Sequence, residues 1–223
     1  MRNNTTSDKL TAACEHVLRH ASHPEDVTVR SIVAHAGTNI GAVNYHFGSL
    51  EKLIFYVAQR TYLQLNAERL ALLQAAVKRA SPDPAPAAGL IAALIGPSIR
   101  WSLDPGSNYP ILRHMTSIAQ SSHHPEVFRP MIEDIEHHRV FIPHFRKVAP
   151  WLSDVEIGFR ISCLLGVRSQ LTRNRARTEE LTGHAMDLGD AEALIEHVVA
   201  ATSSMFTTPP PISSNSVRNR SRH

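Results

Sequence analysis

The sequence predicts an all-α protein: a three-helix N-terminal head built around a helix-turn-helix, followed by a larger helical region. Three observations carry this. Apolar residues recur at helical spacing from about residue 7 to residue 206. Capping residues and glycines cut the first 60 residues into short helices. No segment shows the apolar-polar alternation of a half-buried strand.

Residues 7–21, SDKLTAACEHVLRHA, place Leu10, Ala13, Cys14, Val17, Leu18 and Ala21 on one face of a first helix. His23-Pro24 closes it, because the residue before a proline is pushed out of the helical region. Thr28 offers an N-cap oxygen to a second helix, VRSIVAHA, whose Ile32, Val33 and Ala36 can pack on the first, and Gly37 stops it. Asn39 caps a third short helix, which docks through Val43 and Phe47 and ends at Gly48-Ser49. Ser49 caps a long helix from Leu50 to about Ala80, with room for an interruption midway, carrying Leu53, Ile54, Val57, Leu63, Leu70, Leu73 and Val77.

PDPAPAAG, residues 82–89, is a proline-rich break. Further breaks are expected at 104–108, 121–125, 149–153 and 182–190, leaving helices of ordinary length between them. Residues 207–223, polar, proline-rich and basic, read as a disordered tail. The expected division is a head over 1–60, a helical domain over 61–206 and that tail.

Composition excludes several classes. With 223 residues and 43% apolar content the chain can bury a large core. Cys14 and Cys163 occupy apolar helical positions without disulfide or metal spacing, which predicts their burial and fits a reducing cytoplasm. No run approaches a membrane span, so no membrane partner is expected. The formal charge of +3 is carried by Arg218, Arg220 and Arg222 in the tail. Within the first 60 residues Arg2, Lys9, Arg19, Arg30, Lys52 and Arg60 nearly cancel Asp8, Glu15, Glu25, Asp26 and Glu51. A nucleic-acid function therefore rests on geometry, not on net charge.

That geometry is that of a DNA reader. The third helix turns Val43 and Phe47 inward and Ile40, Gly41 and Asn44 outward, where a major groove could receive them. Asn44 can pair bidentately with adenine, and Ile40 can touch a thymine methyl. Tyr45, His46 and Thr28 can reach phosphate oxygens.

The run TVRSIVAHAGTNIGAVNYHFGSLEKL resembles the DNA-binding segment of the TetR family of transcriptional repressors, over about residues 7–60. Thr28, Ile32, Ala36-Gly37, Gly41, Tyr45, Phe47 and Leu53 stand in the family's order and spacing. NYHFGS is similar to a branch that includes fatty-acid-responsive repressors. The departures are Val33, Thr38 and Leu50, where the family commonly has alanine, valine and lysine; Lys52 is the nearest substitute for the lysine. With the resemblance, the DNA-binding set is Thr28, Thr38, Asn39, Ile40, Gly41, Ala42, Asn44, Tyr45, His46 and Lys52.

The resemblance further implies a helical C-terminal domain that dimerises and holds a small effector. Trp101, Ile111, Met115, Ile118, Phe128, Met131, Phe141 and Phe145 are the expected pocket residues for an apolar effector such as a fatty acid, an acyl derivative or an aromatic compound. Leu164, Arg168 and Leu171 on one helix and Ile195, Val198, Val199 and Thr202 on the last are the expected dimer interface, as a four-helix bundle. The implied partners are double-stranded operator DNA, a second copy of the chain and the effector; no cofactor is expected.

Rival readings are weaker. The 14 histidines, including His123-His124, His137-His138 and His144, raise a metal-responsive regulator, but adjacent histidines on a helix point about 100° apart. No nucleophile elbow, phosphate loop or dinucleotide fingerprint is present, so an enzyme is not expected.

Overall fold

The computed structural model describes residues 5–209, and every regular element in that range is helical. Local chemistry sets the first helices. Thr5 and Asp8 form a capping box at α1 (Thr6–His20), and Thr28 and Ser31 form one at α2 (Val29–Ala36). Asn39 caps α3 (Ile40–Phe47) by accepting the Ala42 N–H at 3.0 Å. Ser49 does the same for Lys52 at 3.2 Å to open α4 (Leu50–Ala80).

α4 runs its 31 residues without interruption, about 46 Å at 1.5 Å per residue. What changes midway is its partner. Leu53, Ile54, Val57 and Ala58 belong to the core of the head, Leu73 to that of the body, and the buried residues Thr61, Asn66 and Arg69 lie between. Leu63, placed among its apolar positions by sequence, is exposed.

The proline-rich break is shorter than the sequence suggests, because α5 (Ala87–Leu103) already begins inside PDPAPAAG. α5 is the axis of the body. Leu90, Ile91, Leu94, Ile95 and Ile99 pack against α4, α9 (Ile142–Val148), α10 (Asp154–Arg173) and α12 (Ala191–Thr202). Phe145 stacks on Phe206 of α13 (Ser204–Thr207) with ring centres 4.0 Å apart.

The breaks expected near 104–108, 121–125, 149–153 and 182–190 separate α5 from α6 (Tyr109–Ser121), α6 from a short 3-10 turn, α9 from α10, and α11 (Arg175–Leu181) from α12. Two details differ. Residues 129–148 form three short helices, α7 (Arg129–Glu133), α8 (Glu136–Arg139) and α9, with Pro130 and Pro143 restarting the chain at α7 and α9. A further break at Asn174 divides α10 from α11. The expected tail begins at Thr207, which is still helical, and residues 210–223 lie outside the described residues.

Two apolar clusters result, and α6 joins them. Ile111 of α6 and Phe128 of the following turn are buried in the head cluster, together with residues from α1 to α4. No helix among the described residues is long and apolar enough to cross a membrane.

Candidate functional site

The head presents α3 as its outer face. Gly37 leaves α2 with φ +62°, a left-handed conformation that turns the chain sharply toward Asn39. A Cβ at Gly37 would have nothing within 4 Å, so only backbone strain opposes a side chain there. Gly37→Ala is therefore expected to cost about 1–2 kcal/mol of stability, read by urea unfolding; no loss at all would contradict the strained turn.

Val43 is fully buried and Phe47 half-buried, while Ile40, Gly41, Asn44, Tyr45 and His46 are exposed. Tyr45 is 86% exposed, which is unusual for an aromatic residue on a packed helix, and its ring meets His46 edge-on at 4.9 Å. At Gly41 a Cβ would come 3.3 Å from Asn39 Oδ1, the oxygen that caps the helix, so the glycine leaves that cap room. Thr28, Asn39 and Lys52 are also exposed.

Two members of the expected DNA-facing set sit differently. Ala42 is half-buried against the head core, and the Thr38 hydroxyl is buried with no hydrogen-bond partner among the described residues. The turn folds Thr38 inward, so its hydroxyl is not part of the outer face. Leu50 likewise packs against the head core, while Lys52 stays exposed.

Between the two clusters lies a partly open cavity of about 320 Å³ bordered by α4, α5, α6, α8, α10 and the segment around Phe128 and Met131. Of the residues expected at an effector pocket, Met115, Phe128 and Met131 line it. The other expected pocket residues are elsewhere. Ile111 and Ile118 pack on the head side of α6, and Phe141 and Phe145 are fully buried in the body core. Trp101 borders a separate surface recess and donates its indole N–H to the Glu68 carboxylate at 3.0 Å.

Polar residues that sequence reasoning missed complete the cavity: Tyr62, Ser98, Tyr109, Thr116, His138, Arg168 and Arg173. Behind Ser98 lies Arg69, wholly buried, which donates to Leu94 O at 3.1 Å, to Asn66 Oδ1 and to Ser98 Oγ at 2.6 Å. Arg168 donates to the same Ser98 oxygen at 3.3 Å. Burial pulls Arg69 down to about 10 and also lowers Arg168. One sequence signal was available: Leu65, Arg69 and Leu73 stand four apart, a charge within an apolar stripe.

Two histidines join this cluster. His137 Nε2 and the Tyr62 hydroxyl are 2.6 Å apart, and the buried His138 Nε2 has no partner among the described residues. Burial, with Arg69 beside it, lowers His137 to about 4; burial, His137 and the two arginines lower His138 to about 2. Both are neutral near pH 7. No group of three or more His, Cys, Asp or Glu among the described residues is arranged to hold a metal ion. A wider recess of about 550 Å³ opens on the outside of the head between α1 and α2, bordered by Lys9, Glu15, His16 and Arg19.

Residues 92–205 match the family described as tetracyclin repressor-like, C-terminal domain, which is just over half of the 223-residue chain. The chain belongs to this TetR-like family. No curated protein matches its sequence. Among solved structures it is similar to the superantigen PfiT, with TM-score 0.59, 18% identity and coverage of 91% of this chain and 98% of that one. It is also similar to the multidrug binding protein EbrR complexed with imidazole, with TM-score 0.55, 15% identity and coverage of 94% and 98%. A candidate transcriptional regulator from Pseudomonas aeruginosa PAO1 gives TM-score 0.53 and 17% identity over 89% and 90% of the two chains. At these identities the likeness is one of fold.

In this TetR-like chain the residues expected at a dimer interface are largely spent on its own core. Leu164, Ile195, Val198 and Thr202 are buried within the subunit, Leu171 and Val199 pack against the same core, and Arg168 lines the cavity. The faces of α10 and α12 that look apolar by period are covered by α5. What α10 leaves outward is a different stripe: Val155, Phe159, Ser162 and Gly166, with Val155 82% and Phe159 70% exposed. Cys163, expected to be buried, is half-buried beside this stripe, whereas Cys14 is enclosed in the head core and burial pushes its thiol up to about 12.

α6 faces both the cavity and the head. Tyr109, Leu112, Met115 and Thr116 border the cavity, while Ile111, the buried His114 and Ile118 meet the head. The buried His114 lies beside the backbone of Ala21, and Arg19 of α1 donates to Asn108 at the start of α6.

Proposed function

We propose that this protein is a transcriptional repressor that binds a pseudo-palindromic operator as a homodimer and is released by a small effector. The head, residues 1–60, reads DNA, and residues 61–206 hold the effector and the dimer interface. The observation that carries this reading is the exposed face of α3. Ile40, Asn44 and Tyr45 project from a short helix that is fixed by caps at both ends and anchored through the buried Val43. A helix so held can enter a major groove without ordering anything further on contact.

Asn44 is assigned to a base edge, and Thr28, Tyr45, His46 and Lys52 to phosphates. The exposed α10 stripe, with the outer side of α12, forms the interface with the second copy. The effector occupies the 320 Å³ cavity, and its class is apolar at least in part, such as a fatty acid, an acyl derivative or an aromatic compound. A ligand that displaces α6 moves the contacts of Asn108 and His114 with α1 and so alters the spacing of the two heads. DNA must weaken that ligand by the same factor by which the ligand weakens DNA.

The test is fluorescence anisotropy of the purified protein with DNA from its own upstream region, against scrambled DNA of equal length. A salt-dependent but sequence-selective complex is expected; equal affinity for both DNAs across salt concentrations removes the operator reading. Asn44→Ala is expected to lose about 1–3 kcal/mol of discrimination at one base pair per half-site while leaving scrambled-DNA affinity unchanged. If the variant discriminates as well as the parent at every position, Asn44 is not a base reader.

A further inference from the structure

Resting on the assignment of this cavity as the effector site, we propose that it takes a small monocarboxylate with an apolar body, the carboxylate against Arg168 and the body against Met115, Phe128 and Met131. The cavity wall concentrates positive charge without an acid to balance it. Arg69 and Arg168 share the Ser98 oxygen, Arg173 lies on the same wall donating to Thr116 at 3.3 Å, and none of the three is in an ion pair among the described residues. A buried guanidinium without a counter-charge is costly, and proteins retain one where something anionic is to be met.

The remaining groups do not supply that anion. Tyr62 and Tyr109 present hydroxyls, and burial raises the Tyr62 hydroxyl rather than ionising it. His137 and His138 are neutral, and Asp134, whose charge acts on Tyr62 and His137, is exposed.

Arg69 is already committed: its three nitrogens donate to Leu94, Asn66 and Ser98. Arg168 is not. Its terminal nitrogens reach only Ser98 and Ser169, at 3.3 and 3.4 Å, and its Nε has no partner among the described residues. A planar fork with donors to spare suits a planar carboxylate. Leu65, Leu112, Met115, Phe128 and Met131 make much of the remaining lining apolar, and about 320 Å³ is at the small end of ligand cavities, so the body is that of a medium-chain or single-ring acid.

Calorimetric titration of the full chain, without DNA, compares octanoate and 4-phenylbutyrate with octan-1-ol, 4-phenylbutan-1-ol, octylamine and octyl phosphate. At least one carboxylate is expected to bind roughly 30-fold or more tightly than its alcohol, the factor that a charge-assisted hydrogen bond supplies. Arg168→Met is expected to abolish the preference and to raise the melting temperature of the unliganded protein, because it removes an unbalanced, partly buried charge; Arg168→Lys retains part of the preference. Equal binding of acid and alcohol, preference for the amine or the phosphate, no carboxylate binding, or an unchanged preference in Arg168→Met each overturns the inference. Operator release, read separately by anisotropy, tests the regulatory reading alone: a carboxylate that binds without releasing DNA keeps the site and removes its role as effector.

Discussion

Phe159→Glu is expected to leave the folded subunit intact, to convert the proposed dimer to monomers at micromolar concentration, and to abolish the proposed operator binding at concentrations that saturate the parent. Phe159 is 70% exposed within its own chain, so its replacement removes little packing, and subunit stability should change by no more than about 0.5 kcal/mol. In the proposed dimer the same position is desolvated against the partner's α10. A carboxylate placed there, without a cation to meet it, costs about 3–5 kcal/mol for each uncompensated charge. Two-fold symmetry applies the change on both subunits, so the dissociation constant should rise by at least about a thousandfold. Operator binding falls with it because one half-site alone gives up the avidity of two. Sedimentation equilibrium measures the first effect and anisotropy the second. A variant that remains dimeric would place the interface away from the α10 stripe.

Acidification is expected to destabilise the protein well before carboxylates titrate. Burial, His137, Arg69 and Arg168, in that order, hold His138 at about 2 against an ordinary 6.5. As the pH falls below about 6.5 the unfolded chain takes up this proton and the folded chain does not. The stability that neutral His138 contributes is thus complete above pH 6.5 and is lost progressively toward pH 2. Each pH unit in that window removes about 1.4 kcal/mol for the one proton. Between pH 6.5 and 4.5 the loss approaches about 3 kcal/mol, a large part of a typical stability of about 5–15 kcal/mol. His137, lowered to about 4, adds to the loss in the same direction, opposed by Asp134. His138→Gln should flatten the acid limb by about one proton in denaturant titrations at pH 7.5, 6 and 5. Parallel limbs for variant and parent would show that His138 protonates freely in the folded state.

The two halves of the molecule were not equally legible. In the head, each decisive signal is local: the hydroxyl or amide oxygens of Thr28, Asn39 and Ser49 reach an N–H three residues on, and Gly37 takes its left-handed conformation where α2 ends. With α3 only eight residues long and Val43 its buried anchor, the period alone separates its inner side from the outer one. Thr38 is the exception, since the inward turn of a single hydroxyl depends on how α2 and α3 meet.

In the body, periodicity told which residues share a helix face but not what covers that face. Phe141 and Phe145 were as eligible for a pocket as Phe128 and Met131, until packing enclosed the first pair in the core and left the second beside a cavity. Leu164, Ile195 and Val198 form a stripe suited to any apolar neighbour, and α5 of the same chain is the neighbour they have, leaving Val155 and Phe159 outward. The sequence by itself thus determined the helical class, the capped head, the outward face of α3 and most of the breaks, because those depend on contacts a few residues apart. Only the tertiary structure decided which apolar faces are core, which remain exposed, and that Arg69 from α4 and Arg168 from α10 converge on Ser98 of α5. That convergence depends on how three distant helices pack, and no local pattern encodes it.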